Sequence, residues 1–230
     1  MTVRLESFHR DRPFRGAIFD FNGTLFWDTE QHNESWVRSI GKYGVSVTPE
    51  LLFAQFHGKP NDSIIRGLLG EQTPDELVKE ITADKERIYQ ELCLEQGKCD
   101  LAPGAAALLD FLKENAFPFT VATSAPAENV DFYFRHLRIG RWFDREKIVF
   151  FDGTFPGKPN AAFYQRALGV IGCPAEETVI FEDAPSGILA AENAGCRTIV
   201  CVDSEKSDYS RCPYPVITNF NEIDRQIFQI

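Results

Sequence analysis

Short apolar runs alternate with segments of helical length through most of the chain, and this alternation constrains the fold more than any other feature of the sequence. The runs with strand character lie at residues 117–122, 147–151, 178–181, 197–202 and 215–218. Helical segments lie before or between them at residues 103–115, 128–137, 160–169 and 186–194. Strands and helices in this order form right-handed βαβ units, in which a parallel sheet is covered on both faces. We therefore predict an α/β fold with a Rossmann-like parallel sheet.

A further apolar run, residues 17–19, lies near the N-terminus and leads directly into Asp20, Asn22 and Gly23. Its unbroken apolar character is typical of a strand that is buried on both faces of a parallel sheet. Asp20 then stands at the carboxyl end of this strand, which is where open α/β sheets bind their ligands. The Asn-Gly dipeptide also fits an ordinary turn, so residues elsewhere in the chain must decide between a turn and a site.

The segment that follows this first strand contains no convincing strand of its own. Helical spacing covers residues 29–43, 49–52, 62–69 and 74–94. Asp28 or Thr29 is a suitable N-cap for the first of these helices. We therefore predict a helical domain of residues 29–97 that is inserted into a core domain of residues 1–28 and 98–230.

The charge of the chain argues against two classes of partner. Its net charge is −10 at pH 7 and its isoelectric point is about 4.9, so neither a nucleic-acid backbone nor an anionic membrane is expected to be its main partner. No apolar run approaches the roughly 20 residues that span a bilayer, and the N-terminus lacks the apolar stretch of a signal peptide. We expect a cytoplasmic protein, and a monomer, because no long exposed apolar stripe is evident.

Six cysteines are distributed along the chain, at positions 93, 99, 173, 196, 201 and 212. They form no Cys-x-x-Cys pair and have no histidine partner at the spacing of a zinc site. We therefore predict reduced thiols that are mostly buried and act as small hydrophobic side chains.

Polar residues of a useful kind follow four of the predicted strands. They are Asp20 with Asn22, the Thr123-Ser124 pair, Lys158 and the Glu182-Asp183 pair. Because the carboxyl ends of parallel strands share one edge of the sheet, these side chains are expected to meet, although about 160 residues separate the first from the last. Each has a simpler interpretation by itself, as a turn residue, a surface lysine or a helix cap. Their joint occurrence predicts a site.

This set of residues is suited to an anion that is handled together with a metal ion. The carboxylates of Asp20, Glu182 and Asp183 are the hard oxygen ligands that Mg²⁺ prefers. Lys158 and the Ser124 hydroxyl, with backbone N–H groups of the turns, can bind the oxygens of a phosphoryl group. Asp20 can use its second carboxylate oxygen as a nucleophile and form an aspartyl-phosphate.

The pattern resembles the haloacid dehalogenase superfamily of phosphohydrolases and phosphomutases over nearly the whole chain. The motifs that carry the resemblance are Asp-Phe-Asn-Gly-Thr-Leu at 20–25, Ser124 after Val-Ala-Thr, Gly-Lys-Pro at 157–159 and Phe-Glu-Asp-Ala-Pro-Ser-Gly-Ile at 181–188. The last motif is similar to the branch that contains β-phosphoglucomutase, small sugar-phosphate phosphatases and phosphonoacetaldehyde hydrolase. That branch carries a helical cap just after the first motif, where this chain has its helical segment.

The resemblance implies a role for each of these positions, with Asp20 as the nucleophile. The implied catalytic residues are Asp20, Asn22 and Lys158, and the implied Mg²⁺ ligands are Asp20, Glu182, Asp183 and the carbonyl of Asn22. The implied substrate-binding residues are Gly23, Thr24, Ser124, Ala125, His32, Lys59 and Asn61. His32 and Trp36 stand at the spacing of a histidine and a tryptophan on the first cap helix of β-phosphoglucomutase. Lys59 and Asn61 belong to a cap loop, residues 58–62, that is expected to face the core.

One position departs from the family pattern. Phosphatase and mutase members have a second aspartate two residues after the nucleophile, where this chain has Asn22. That aspartate exchanges a proton with the leaving oxygen, a contribution of about 10²- to 10⁴-fold to the rate, and a neutral amide cannot do so. We therefore expect Asn22 to reduce turnover more than it reduces the binding of metal or phosphate.

Three explanations of Asn22 stay open in the sequence. Another group supplies the proton, with His32 and Glu30 as candidates, or the substrate has a good leaving group. Alternatively, the chain is a phosphonatase, a class that lacks the second aspartate but needs a cap lysine. Asn61 stands at the position of that lysine, with Lys59 two residues away. The third explanation is a relative that binds a phosphorylated ligand without efficient catalysis.

The prediction from these residues and from the resemblance is a Mg²⁺-dependent phosphatase. It hydrolyses a small phosphorylated metabolite, a sugar phosphate, through an aspartyl-phosphate on Asp20. A phosphomutase like β-phosphoglucomutase is the alternative among enzymes, although Asn61 stands where that enzyme has an arginine for its second phosphate site.

Overall fold

The computed structural model describes residues 2–205, 209 and 212–230. Within them lies a parallel sheet with the strand order β3-β2-β1-β4-β5-β6. The strands are β1 (Gly16–Phe19), β2 (Phe119–Thr123), β3 (Val149–Phe150), β4 (Thr178–Glu182), β5 (Ile199–Val202) and β6 (Val216–Ile217). The order reverses between β1 and β4, which makes their carboxyl ends the switch point where such sheets bind ligands. The predicted α/β fold with a Rossmann-like parallel sheet is confirmed.

The described residues also contain eight α-helices. They are α1 (Thr29–Gly41), α2 (Pro49–Phe56), α3 (Asn61–Leu69), α4 (Asp75–Glu95), α5 (Ala105–Glu114), α6 (Ala127–Phe132), α7 (Ala162–Ile171) and α8 (Pro185–Asn193). Along the chain, the first four come between β1 and β2, where the sequence predicts a helical insertion. Most helix ends differ from the predicted ones by a few residues, as is usual for terminal turns. Helix α6 ends at Phe132, five residues before the predicted end, because the chain continues as a π-helix at Tyr133–Leu137. None of these helices combines the length and the apolar character needed to cross a membrane.

Residues of the central strands alternate between two hydrophobic cores. Phe19 of β1 and Phe181 of β4 lie in one core, whereas Ile18 and Ile180 lie in the other. Successive side chains of a strand point to opposite faces, so each face of the sheet is covered by apolar packing. The unbroken apolar character of these strands follows from burial on both sides.

The inserted helices have a hydrophobic core of their own. Its buried members are Trp36, Ile40, Val47, Leu52, Phe56, Ile64, Ile65, Val78 and Ile81. Helix α4 belongs to two cores, because Val78 and Ile81 lie in this one, whereas Tyr89 and Cys93 lie in a core of the sheet. Helix α4 therefore joins the insertion to the sheet.

All six cysteines lie in the described part of the chain, and none of them forms a disulfide. The prediction of reduced thiols agrees with this arrangement. Only Cys93, Cys196 and Cys201 are buried. Burial is therefore predicted correctly for three of the six cysteines. Cys201 and Cys212 lie with their sulfur atoms 3.2 Å apart.

Two helical glycines allow a matched test of how closely α8 packs on the end of β4. A Cβ on Gly187 would lie 1.5 Å from Glu182 Oε1, whereas a Cβ on Gly169 in α7 would meet nothing within 4 Å. We expect Gly187→Ala to lower the free energy of unfolding by about 1–3 kcal/mol or more. Gly169→Ala should raise it by about 0.4–1 kcal/mol. Urea unfolding measures both, and equal effects of the two substitutions would contradict the close approach.

Candidate active site

The carboxyl ends of β1 and β4 bring three acidic side chains to one edge of the sheet. The two strands pair with Phe19 opposite Phe181, so Asp20 and Glu182, the next residues, lie side by side. Asp20, Glu182 and Asp183 are all buried. Each offers a carboxylate oxygen that lies within 4.8 Å of the oxygens of the other two. The structure therefore brings together the three carboxylates that the sequence singles out.

Lys158 lies in the middle of this group, in the loop that follows β3. Its Nζ donates to Asp20 Oδ1 at 2.5 Å and to Glu182 Oε1 at 2.7 Å, and its side chain is 0% exposed. Burial by itself lowers the pKa of an ammonium group, but the carboxylates of Asp20 and Glu182 raise the pKa of Lys158 above its ordinary value. Lys158 is thus a fixed, buried cation, and its interpretation as a surface lysine is wrong.

Glu182 is held through both of its oxygens. Besides Lys158, Oε1 accepts a hydrogen bond from the Tyr164 hydroxyl at 3.2 Å, and Oε2 accepts one from the Ala184 N–H at 2.6 Å. The residue is completely buried. A carboxylate fixed in this way holds Lys158 in position and adds a second negative charge beside Asp20.

The crowding of these carboxylates fits a metal ion. Burial raises the pKa of Asp20 well above its ordinary value, Lys158 opposes that rise, and Glu182 and Asp183 reinforce it. A divalent cation would relieve the repulsion, and buried carboxylate oxygens are the donor set that Mg²⁺ prefers. The residues present therefore suit such an ion by both charge and chemistry.

Ser124 and Ala125 follow β2 at the same edge. The Ser124 hydroxyl donates to the carbonyl of Gly58, in the loop between α2 and α3, at 2.8 Å. The Ala125 N–H donates to Thr123 Oγ1 at 3.1 Å. Ser124 therefore stands where the sheet edge meets the inserted helices, beside the carboxylate cluster.

Gly23 and Thr24, which the resemblance implies as substrate contacts, support Asp183 in the structure. Thr24 Oγ1 donates to Asp183 Oδ1 at 2.9 Å. Gly23 has a φ of +79°, and a Cβ there would lie 2.0 Å from Asp183 Oδ2, so only glycine fits. The Gly23 N–H donates to the Phe26 carbonyl at 2.7 Å. These two residues therefore shape the turn around Asp183, and their contacts lie within the protein.

A cavity of about 120 Å³ lies between the sheet edge and the inserted helices. The sheet side contributes Asp20, Asn22 and Ser124, and the inserted helices contribute His32, Trp36, Lys59 and Asn61. Glu30 is exposed on α1 and lies outside the cavity. Of the two candidate proton donors from the sequence, His32 therefore lines the cavity and Glu30 does not.

A buried polar network forms the wall of the cavity on the side of the inserted helices. Lys85 Nζ donates to His32 Nδ1 at 2.8 Å and to Glu86 Oε1 at 3.0 Å, with the imidazole nitrogen as acceptor because an ammonium group can only donate. Asn61 Nδ2 donates to Glu86 Oε1 at 2.6 Å, and Asn129 Nδ2 of α6 donates to Glu86 Oε2 at 2.7 Å. The network ties three inserted helices to α6 beside the sheet.

The Asn22 amide points into a second polar group. Its Nδ2 donates to Asp28 Oδ2 and to Tyr133 Oη at 2.7 Å each, and its Oδ1 accepts from the Thr123 hydroxyl at 3.3 Å. Burial raises the pKa of Asp28, but His32 and the hydrogen bonds from Tyr89 and Asn22 outweigh burial, and the pKa lies below its ordinary value. Asp28 is therefore a buried carboxylate.

Asp28 stands at the N-cap position of α1, as the sequence predicts, but its side chain caps no N–H group of that helix. The predicted N-cap position of Asp28 is therefore correct, but the predicted capping role of its side chain is wrong, because the carboxylate points towards the cavity wall.

Sequence reasoning does not single out His57 or Lys85 as site residues. His57 Nε2 lies 2.8 Å from Asp183 Oδ2. Burial lowers the pKa of His57, but the hydrogen bond to Asp183 raises it above its ordinary value. Lys85 has a detectable signal, since it occupies a position of α4 in line with buried Ile81 and Leu92 where an apolar residue is expected. His57 has no comparable signal, because its contact depends on how the loop after α2 meets the sheet.

Comparison with known families agrees with this arrangement. The family model described as haloacid dehalogenase-like hydrolase matches residues 17–201, a span that contains the carboxylates, Lys158 and Ser124. The chain belongs to the haloacid dehalogenase-like hydrolase family. The predicted family is therefore confirmed.

Three similar proteins show how far the likeness extends. A phosphorylated carbohydrates phosphatase of Thermotoga maritima is 30% identical over 197 residues, which cover 84% of this chain and 87% of its own. A validoxylamine A 7′-phosphate phosphatase of Streptomyces hygroscopicus subsp. limoneus is 27% identical over 198 residues, with coverages of 82% and 84%. A crystal structure of a haloacid dehalogenase hydrolase, family IA, variant 3, from Entamoeba histolytica has a TM-score of 0.81 and 32% identity, with coverages of 93% and 96%. The predicted enzyme class, a phosphoric monoester hydrolase of this superfamily, agrees with these relatives.

Removal of the buried cation tests the charge balance of the cluster. Lys158→Met leaves Asp20 and Glu182 without their shared partner, so we expect it to lower the free energy of unfolding by about 3–5 kcal/mol in metal-free buffer at pH 7. Lys113→Met is the matched control, because Lys113 is exposed on α5, and it should change stability by less than about 0.5 kcal/mol. Urea unfolding compares the two, and equal stabilities would show that Lys158 is not needed by the carboxylates.

Proposed function

We propose that this haloacid dehalogenase-like hydrolase is a Mg²⁺-dependent phosphatase that hydrolyses a small phosphorylated metabolite, with sugar phosphates as the substrate class. The observation that carries the proposal is the buried contact of Asp20 with Lys158 beside two further carboxylates. The relatives named as phosphatases of phosphorylated carbohydrates and of validoxylamine A 7′-phosphate support the same class.

In the proposed reaction, Asp20 attacks the phosphorus atom of the ester. Its Oδ1 accepts a hydrogen bond from Lys158, so Oδ2 forms the new P–O bond. The ester P–O bond breaks, and its electron pair goes to the leaving oxygen, which takes a proton. Water then attacks the phosphorus of the aspartyl-phosphate and gives up one proton to solvent, while the bond between phosphorus and Asp20 Oδ2 breaks with its electron pair returning to the carboxylate, so that inorganic phosphate leaves.

The charges of the cluster suit both the magnesium cation and the anionic phosphoryl group that this reaction brings together. Asp20, Glu182, Asp183 and the Asn22 carbonyl would hold Mg²⁺, which supplies positive charge for the carboxylates and the phosphoryl oxygens. Lys158 and the Ser124 hydroxyl would bind phosphoryl oxygens directly. Ser124 would then exchange its hydrogen bond to the Gly58 carbonyl for one to the substrate.

We further propose that residues 29–97 act as a cap over a core of residues 1–28 and 98–230. Two hydroxyls of the core hold the loop between α2 and α3 on the sheet edge, because Ser124 donates to the Gly58 carbonyl and the Ser186 hydroxyl donates to the His57 carbonyl at 2.6 Å. A cap in this position excludes water from the reacting groups.

The cavity under this cap supports the proposed substrate class. Its volume of about 120 Å³ is below the roughly 300–1,000 Å³ of most ligand pockets, which favours a small substrate over a large one. Trp36 supplies an apolar face, whereas His32, Lys59 and Asn61 supply polar groups. A sugar or polyol, which presents both hydroxyls and C–H surface, matches such a lining.

Phosphate release from a panel of sugar and polyol monophosphates tests the proposal. We expect the wild-type protein to release phosphate with Mg²⁺ and to lose this activity with EDTA. Asp20→Asn should lower kcat by roughly 10³-fold or more, because the isosteric amide cannot act as a nucleophile. Asp152→Asn is the matched control, since Asp152 is exposed, lies outside the cavity and accepts hydrogen bonds from the N–H and hydroxyl of Thr154, and it should keep full activity.

The nucleophile assignment, the mutase alternative and the ligand-binding alternative each have their own outcome in this assay. Equal phosphate release by the wild type and by Asp20→Asn would overturn the assignment of the nucleophile. Conversion of glucose 1-phosphate into glucose 6-phosphate without free phosphate would favour a mutase. Binding of sugar phosphates without turnover would favour a ligand-binding protein.

A second prediction concerns the proton for the leaving oxygen, which the Asn22 amide cannot supply. His32 lines the cavity with Nδ1 against Lys85 and Nε2 3.3 Å from Asp28, so its ring must turn to reach a leaving oxygen. If it supplies the proton, His32→Asn should lower kcat by about 10²-fold on a sugar phosphate but by less than about threefold on p-nitrophenyl phosphate, whose leaving group needs no proton. His9→Asn is the control, because His9 is exposed with a φ of +52°, a conformation that asparagine tolerates. Equal losses on both substrates would assign His32 to substrate binding instead.

A further inference from the structure

The Asp28 carboxylate connects three parts of the cavity wall. Its Oδ2 accepts hydrogen bonds from Asn22 Nδ2 at 2.7 Å and from the Tyr89 hydroxyl. Its Oδ1 accepts one from the Gly23 N–H at 3.2 Å, and His32 Nε2 lies 3.3 Å from Oδ2. Asp28 is 1% exposed. One buried carboxylate therefore contacts the turn after the nucleophile, helix α1 and helix α4.

The Asn22 amide matches this carboxylate, and an acid at position 22 would not. The amide nitrogen provides two donors, which go to Asp28 Oδ2 and Tyr133 Oη at 2.7 Å each. A carboxylate at position 22 would place two buried groups of like charge at hydrogen-bonding distance. Positions 22 and 28 together therefore accommodate one acid and one amide.

We propose that Asp28 is a positioning residue of the active site, and that positions 22 and 28 act as one acid–amide pair whose acid lies at 28. Through Asn22 and Gly23 the pair fixes the turn that follows Asp20. Across the same carboxylate, at 3.3 Å, lies His32 Nε2, a buried atom that makes no hydrogen bond within the described residues. This inference rests on the proposed function, because a positioning role is defined by the reaction that it serves.

The acid–amide pair and the simple loss of an acid at position 22 predict opposite effects of Asn22→Asp on activity. If Asn22 only replaced a lost aspartate, Asn22→Asp by itself would raise activity. In the pair, Asn22→Asp brings two acids together and Asp28→Asn brings two amides together, so each is harmful. The exchange variant Asn22→Asp/Asp28→Asn restores one donor group facing one acceptor group and should recover what each single change loses.

The experiment is a double-mutant cycle of these four proteins, with two readouts. The first is the Tm without substrate, which each single variant should lower by about 5–10 °C. The second is kcat on p-nitrophenyl phosphate with Mg²⁺, which each single variant should lower by about tenfold or more. If the two losses were independent they would multiply, and we expect the kcat of the exchange variant to be at least about tenfold higher than that multiplied value.

Asp110→Asn is the control for the loss of a paired carboxylate. Asp110 accepts hydrogen bonds from Arg141 at 2.6 Å and from Trp142 at 2.7 Å, and it lies outside the cavity. This variant should lower the Tm at most slightly and should keep the wild-type kcat. An equal loss of kcat in Asp110→Asn and Asp28→Asn would overturn a specific role for Asp28.

Two further outcomes would overturn the inference. The first is an Asn22→Asp variant with an unchanged Tm and a higher kcat, which would show that the two positions are not paired. The second is an exchange variant that recovers the Tm but not kcat, which would make the pair a structural device only. A wild-type protein that releases no phosphate from any substrate would reject the phosphatase and the positioning role together, and the Tm cycle alone would then decide whether the positions are paired.

Discussion

The site depends on one buried ammonium group. Lys158 donates to Asp20 and Glu182 at the point where β1 and β4 end side by side. A charge of either sign in the protein interior costs several kcal/mol unless it is paired, so the loop after β3 and the ends of two central strands depend on one another. The same requirement extends outward, because Glu182 needs Tyr164 and the Ala184 N–H for its remaining contacts. The polar interior of the edge is thus one connected structure.

Most of the fold follows from local sequence. A strand that is buried on both faces needs an unbroken apolar run, and a parallel sheet needs helices between such runs, so the alternation along the chain specifies the architecture. The convergence of Asp20, Ser124, Lys158 and Asp183 follows from the same topology, because residues after parallel strands share one edge. What sequence cannot provide is the role of each side chain at that edge. Glu182, for example, is held on both oxygens by partners from α7 and from the start of α8.

Asp28 and His57, whose roles were not predicted, depend on contacts between the inserted helices and the sheet. Asp28 fits a helix cap by every local criterion, and only the positions of Tyr89 and Asn22 show that its carboxylate points elsewhere. His57 reaches Asp183 across 126 positions of sequence. Lys85 is the exception, because a charged residue within the apolar stripe of an amphipathic helix is by itself a sign of a buried polar partner.

Helix α4 has a mechanical consequence, because it runs through both the core of the insertion and a core of the sheet. The border between them falls near Lys85, with Ile81 on one side and Tyr89 on the other. The insertion cannot swing away as a rigid body while this helix stays straight and fully packed. It must either bend α4 at that border or pull Tyr89 out of its apolar surroundings and away from Asp28. Access to the cavity is therefore mechanically coupled, through α4, to the turn that carries the nucleophile.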